Sequence, residues 1–280
     1  MSLKRSPLFV LPLLAAASAA SAADISPVVI PPIVVPVVAG PQMLIQVEGG
    51  PVFSSTPIIE DSEDKFGTAV GERGFYLGAA VRRMLPSNIG FQAAITGTWL
   101  RGYEVAPLAE LGTTMRFVTV DLDVGLHPGG DIRTRMFAGL RVLHTMDTLD
   151  LYQFGNVTDE AHSVGTAWLF GPRVGANVDR RIGSSSFSFV ADVSASALFG
   201  NANVLLADVD ASGFRMAFNV EGQLGLAWHP SESFALAFGY RGQQWWGIRQ
   251  AVEAETFGHY IAVDADKLIH GPFARLSLTF

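Results

Sequence analysis

Residues 214–228 read Phe-Arg-Met-Ala-Phe-Asn-Val-Glu-Gly-Gln-Leu-Gly-Leu-Ala-Trp. Laid out as an extended chain, Phe214, Met216, Phe218, Val220, Leu224, Leu226 and Trp228 share one face. Arg215, Asn219, Glu221 and Gln223 share the other. Successive side chains of a strand point to opposite faces, so an alternation this long predicts a strand with one apolar and one polar side. A helix would spread the same apolar residues around its whole circumference.

The pattern recurs outward from this stretch in both directions. It predicts ten strands, over about 43–53, 75–83, 91–101, 113–126, 135–144, 168–179, 187–199, 214–228, 234–243 and 270–280. The connections around Pro86-Ser87-Asn88, Pro128-Gly129-Gly130-Asp131, Gly183-Ser184-Ser185 and Pro230-Ser231-Glu232 are short and built of turn residues. Those at about 55–70, 147–161, 200–212 and 247–266 are long, and 102–110 is intermediate. Short and longer links therefore alternate. That is the layout of an all-β, up-and-down antiparallel barrel of the outer membrane, with short periplasmic turns, longer extracellular loops and an even number of strands. Ten strands fit best, with eight and twelve as alternatives.

A soluble sandwich would show the same alternation, with the apolar face as core. Three features favour the membrane. Aromatics gather at predicted strand ends, with Phe91, Phe187, Trp228, Phe234 and Phe280 on the turn side. Phe75, Trp99, Trp168, Phe199, Phe214 and Tyr240 gather on the loop side, giving the two girdles of a spanning barrel. The polar faces carry arginine and almost no lysine, and the chain ends on a strand with Phe280 as its last residue.

The beginning of the chain predicts export. Lys4 and Arg5 precede the apolar run 8–17, and Ala20-Ser21-Ala22 forms a small-x-small cleavage site, so 1–22 reads as a signal peptide. Residues 23–42 carry Pro27, Pro31, Pro32, Pro36 and Pro41 and read as a polyproline-type leader rather than a helix. Residues 43–280 are the predicted barrel. The composition agrees with this division. The chain is 49% apolar and only 16% charged, which excludes disorder. Its net charge of −7 argues against nucleic acid as a partner. The absence of cysteine excludes disulfides, thiolate metal sites and a lipoprotein anchor.

The ending Gly271-Pro272-Phe273-Ala274-Arg275-Leu276-Ser277-Leu278-Thr279-Phe280 resembles the C-terminal signal of outer-membrane proteins, with Leu276, Leu278 and Phe280 as its outward residues. Together with Gly171-Pro172-Arg173-Val174-Gly175 and Ala195-Ser196-Ala197-Leu198-Phe199-Gly200, it is similar to a pore-forming, major-outer-membrane-protein-like family first recognised in Legionella. The resemblance covers 43–280. It implies residence in the Gram-negative outer membrane with porin-like ion transport, and it brings no catalytic residues. It also implies dealings with periplasmic chaperones, with the barrel-assembly machinery that reads the last strand, and with outer-membrane lipid and lipopolysaccharide.

If the polar faces line a lumen, its basic residues are Arg82, Arg135, Arg141, Arg173, Arg215, Arg241 and Arg275. Its acids are Glu48, Asp121, Asp123, Asp179, Asp192 and Glu221. A selective pore would show a ring of one sign. This balance instead predicts Arg–carboxylate pairs in a narrow interior, because barrel width grows with strand number.

The longer links hold most of the acids, including the run Glu60-Asp61-Ser62-Glu63-Asp64, which lacks the glycine and spacing of a calcium loop and reads as a solvated surface. The six histidines make no metal-ligand pattern, and no Gly-x-Ser-x-Gly elbow is present, so no metal, cofactor or catalytic residue is predicted. The sequence thus supports a narrow pore for ions or small solutes first. The alternative is a closed structural or surface-interaction barrel acting through acidic extracellular loops. A third reading, an outer-membrane hydrolase, would need His144, Asp147, His162, Ser163 or His259 to converge at the loop-side rim.

Overall fold

A computed structural model describes residues 42–61, 67–106, 109–128, 132–153, 160–206, 209–248, 253–256, 259–263 and 266–280. The expected signal peptide, and the leader up to residue 41, lie outside the described residues. The strands are β1 (Gln42–Asp61), β2 (Gly67–Met84), β3 (Ile89–Ala106), β4 (Ala109–Leu126), β5 (Arg135–Gln153) and β6 (Glu160–Arg181). They continue with β7 (Phe187–Leu206), β8 (Val209–Ser231), β9 (Phe234–Trp246), β10 (Glu253–Thr256), β11 (His259–Val263) and β12 (Lys267–Thr279).

Strands β1 to β9 and β12 form a closed antiparallel ten-stranded barrel in which neighbours along the chain pair with each other. The seam is β1 against β12. It is zipped to the last residue, because Met43 N–H donates to the Phe280 carbonyl at 3.0 Å and Phe280 N–H donates back at 2.8 Å. Each of these ten strands is paired on both sides, the condition for a sheet to stand in lipid. The short β10–β11 hairpin is an outgrowth, with β11 laid on the outer end of β1 at Ile58–Asp61.

The alternation sorts the side chains inside out. Phe214, Phe170, Trp168 and Phe238 are 61–69% exposed on the outer wall, whereas Leu143, Leu198 and Ala217 on the inner wall are wholly buried. Large apolar side chains this exposed on one continuous surface are stable only against lipid. On β2 the outward residues Phe75, Leu77, Ala79 and Val81 are bounded by exposed Arg73 and Arg83. That interval is about 33 Å along the strand at about 3.3 Å per residue, or about 25 Å of height at a tilt of about 40°, which matches the apolar band of a spanning barrel.

The predicted loops are longer than the observed ones. Strand β1 runs to Asp61 and β2 starts at Gly67, β5 and β6 are linked by 154–159, and β7 and β8 by 207–208. The alternation of apolar and polar residues fades there. The backbone groups still need partners, and continuing the ladder supplies them without any demand on side-chain pattern. Strands β1 to β8, of 18 to 23 residues, therefore exceed the length of about 9–11 needed to cross a bilayer, and the surplus projects on the loop side. The run at 60–64 falls largely outside the described residues. The turn side is as predicted at 85–88 and 182–186, tight links that place Asn88 (φ 60°) and Gly183 (φ 59°) in the left-handed region, whereas Gly129, Gly130 and Asp131 lie outside the described residues.

Candidate functional site

The lumen is layered. Between the turn end and the middle of the strands lies one continuous network of charged and amide side chains. Arg141 on β5 donates to both oxygens of Asp121 on β4, at 2.7 and 2.8 Å. It also reaches across the lumen to Asn219 (2.7 Å) and Glu221 (2.8 Å) on β8. Arg173 on β6 bridges Asp123 at 2.8 Å and Glu221 at 2.9 Å. Arg135 joins Asp123 at 3.3 Å and Asn177 at 2.8 Å, and Asn177 passes the chain to Asp192 at 2.7 Å. Arg275 on β12 closes it by bonding Asp192 (2.6 Å) and Glu48 (2.9 Å), with Arg241 3.4 Å from Glu48. Gln223 donates to Asp192 as well.

Arg82 is bound by neutral acceptors. It donates to Gln92 at 2.9 and 3.0 Å, to the Ile132 carbonyl at 2.6 Å and to Asn177 at 3.2 Å. Two rings complete the cage. Phe137 lies between the guanidinium groups of Arg135 (4.2 Å) and Arg173 (4.7 Å), and Tyr76 lies 3.9 Å from that of Arg241. All ten barrel strands contribute. Beside the network lies a cavity of about 110 Å³ lined both by charged residues such as Arg82, Asp121, Arg173 and Glu221 and by Phe117, Phe137 and Trp245. It is large enough for several waters.

A second layer departs from the sequence expectation of a uniformly polar inward face. On every barrel strand an inward apolar residue stands on the loop side of the polar ones: Val52, Tyr76, Leu100, Phe117, Leu143, Leu169, Leu198, Ala217, Trp245 and Ile269. All are 2% exposed or less. Phe117 and Trp245 meet edge to face at 5.8 Å, and Trp245 Nε1 donates to Gln243 at 3.2 Å. The signal for this layer in the sequence is phase, since Leu143 follows Arg141 by two residues and Trp245 follows Gln243 by two. At the turn end, Leu44, Met84 and Ile132 pack together across the mouth. Outside the apolar layer, Lys267 pairs with Glu72, which also accepts from Thr113 at 2.9 Å.

Of the expected lumen residues, Arg82, Arg135, Arg141, Arg173, Arg241, Arg275, Glu48, Asp121, Asp123, Asp192 and Glu221 all enter the network. Two do not. Arg215 faces inward but lies beyond the apolar layer, beside Asp147 in a small cavity. Asp179 lies at the turn end, 3.5 Å from His229 Nε2. The amides Gln92, Asn177, Asn219, Gln223 and Gln243 also join the network; each occupies the polar phase of its strand, but the expected lumen set held only charged residues.

The hydrolase candidates whose side chains are described do not converge. His144 stacks on Trp168 on the outer wall at 4.3 Å, whereas Ser163 and Asp147 face inward. His162 and His259 have side chains outside the described residues. Ser188 lies 2.7 Å from His229, and with Asp179 it superficially suggests a triad. Serine and acid both approach Nε2, however, and Ser188 is wholly buried, whereas a working triad needs the acid on Nδ1 and a reachable hydroxyl. Among the described residues no group of His, Asp and Glu could hold a metal ion.

A closed antiparallel barrel, apolar toward its surroundings and filled with paired charge, is a β-barrel of the bacterial outer membrane. More particularly, residues 92–280, about two thirds of the chain, match the family described as Legionella pneumophila major outer membrane protein precursor, and the chain belongs to that family. No curated protein matches it. Solved structures with a similar fold include Neisserial surface protein A, at 12% identity over 86% of this chain and 99% of that one, TM-score 0.33. The translocator domain of the autotransporter NalP from Neisseria meningitidis shares 10% over 86% and 88%, TM-score 0.44. The outer membrane protein OprG from Pseudomonas aeruginosa shares 12% over 85% and 95%, TM-score 0.33. Likeness at this level of identity bears on the fold alone.

Proposed function

We propose that this chain is a sealed outer-membrane barrel whose work is done on the loop side rather than through its lumen. The observation that supports this is the apolar layer above the ion-pair network. An open path would have to pass Leu143, Leu169, Leu198 and Trp245, all buried in one cluster. Ions do not cross such a constriction, because shedding their water against apolar side chains costs more than the polar layer below can return. The ion pairs oppose opening as well, since each arginine removed from its carboxylate leaves a charge buried and alone. A porin-like family and a balanced lumen first suggest a narrow pore. The layered filling favours the closed alternative.

The strands also extend well beyond the apolar band on the loop side, so the barrel presents a rigid wall outside the membrane. A surface-interaction role uses that wall, whereas a pore has no need of it.

Single-channel recording of the refolded chain in planar bilayers tests this reading. A well-folded barrel is expected to stay electrically silent. Stepwise conductance from the unmodified chain would restore the pore.

A further inference from the structure

The outer wall carries one concentration of charge that neither the fold nor the lumen accounts for. Arg73 on β2 and Arg101 on β3 are partners in register, directly across the ladder from each other. Arg116 on β4 pairs with Trp99 and so stands diagonally from Arg101. All three are exposed and point away from the barrel. Partners in register have Cβ atoms about 5 Å apart and diagonal neighbours about 7–8 Å, so the three guanidinium groups share one small area. Among the described residues no carboxylate pairs with any of them. Like charges placed directly opposite are destabilising, and among the described residues nothing else on this wall offsets that cost.

Their height identifies what would. Each arginine is the first charged residue on the loop side of its strand's apolar run: Phe75–Val81 on β2, Phe91–Trp99 on β3 and Val118–Leu126 on β4. Phe75 and Trp99, directly beneath, stack at 4.8 Å and make a flat apolar platform. The corresponding edge of the far wall is uncharged, with Asn201, Asn203, Ser212 and Gln244 in place. Among the described residues, the exposed positive charge at the outward interface of the membrane is therefore gathered on three neighbouring strands.

We propose that Arg73, Arg101 and Arg116 form a binding site for the phosphorylated head of an outer-leaflet glycolipid, of the lipopolysaccharide type, whose acyl chains lie on Phe75, Trp99 and the apolar band below. Guanidinium forks match phosphate oxygens in pairs. A phosphate held between the three would remove the repulsion among them. Free phosphate lacks the acyl chains, so the platform commits the site to lipid.

The test is native mass spectrometry of the refolded full chain in micelles, titrated with bisphosphorylated lipid A, with its dephosphorylated form, and with inorganic phosphate. The unmodified chain is expected to retain bisphosphorylated lipid A selectively. The triple variant Arg73→Gln, Arg101→Gln, Arg116→Gln is expected to lose about a hundredfold in affinity, consistent with three basic contacts near an anionic surface. All three positions are exposed, and folding is checked independently by the heat-dependent shift of the barrel on a gel. The double variant Arg83→Gln, Arg180→Gln, which removes exposed charge at the turn side, is expected to bind like the unmodified chain. Equal retention of both lipid forms, an unaffected triple variant, an equal loss in the turn-side variant, or phosphate retained as tightly as lipid A would each overturn the assignment.

Discussion

Arg141 and Asp121 are partners in register on adjacent strands, and their side chains meet in two parallel hydrogen bonds of 2.7 and 2.8 Å. The ladder sets this bidentate pair, but the third arm of Arg141 leaves it. By reaching Asn219 on β8, it ties two walls of the barrel together across the lumen.

Breaking that tie should be costly in a specific way. Arg141→Met removes the cation between Asp121 and Glu221 and is expected to destabilise the barrel by about 3–5 kcal/mol. Adding Asp121→Leu should restore a large part of the loss, because it removes the carboxylate left alone. Urea titration of the chain folded in lipid vesicles measures both. An Arg141→Met loss below about 1 kcal/mol, the scale of an exposed ion pair, would show that the network is not under strong mutual constraint.

The contributions of the two layers of the lumen can be separated. Trp245→Ala combined with Leu143→Ser opens the apolar layer and wets it, and this variant is expected to show stepwise conductance that the unmodified barrel lacks. Arg141→Gln alone leaves the apolar layer intact and should remain silent. Planar bilayer recordings of the two variants read this directly. Conductance from Arg141→Gln would mean that the ion pairs, rather than the apolar layer, hold the path shut.

Backbone approach sets a third expectation. A Cβ at Gly74 would lie 1.6 Å from the carbonyl oxygen of Trp99 on the paired strand. Gly74→Ala must therefore part β2 from β3 locally, and it is expected to cost about 1–3 kcal/mol in the same titration. Gly71→Ala, earlier on the same strand, serves as the neutral control, because a Cβ there meets no atom within 4 Å.

The seam gives a fourth. Deleting Phe280 leaves the N–H and C=O of Met43 without their partners at the closing rung. Two net hydrogen bonds of about 0.5–1.5 kcal/mol each are lost, and the truncated barrel should fold more slowly and melt earlier. The fraction of barrel resisting denaturation on an unheated gel, followed over time, is the readout. Folding at the unmodified rate would show that the seam is not limiting.

Much of this is legible in the chain. Residues 214–228 alone announce a two-faced strand, ten such stretches and alternating link lengths announce the barrel, and the phase of each alternation tells which residues turn inward. Period two is a local property, so one strand's sequence suffices to read it. The balance of arginine and acid likewise announces pairing rather than a selective ring.

Partnership and level are not legible. That Arg141 meets Asn219 and that Arg275 meets Asp192 depends on the diameter and stagger of the closed barrel, which no single strand encodes. Leu143, Leu169, Leu198 and Trp245 each look like a stray apolar residue in a polar phase. Only the register of ten strands brings them together into one buried apolar cluster. Arg73, Arg101 and Arg116 lie far apart in sequence, and the ladder alone gathers them into one patch. The sequence dictates which way each side chain points, because that follows from the pleat. The tertiary structure decides which side chains share a height, because that follows from how strands stagger when a sheet closes on itself.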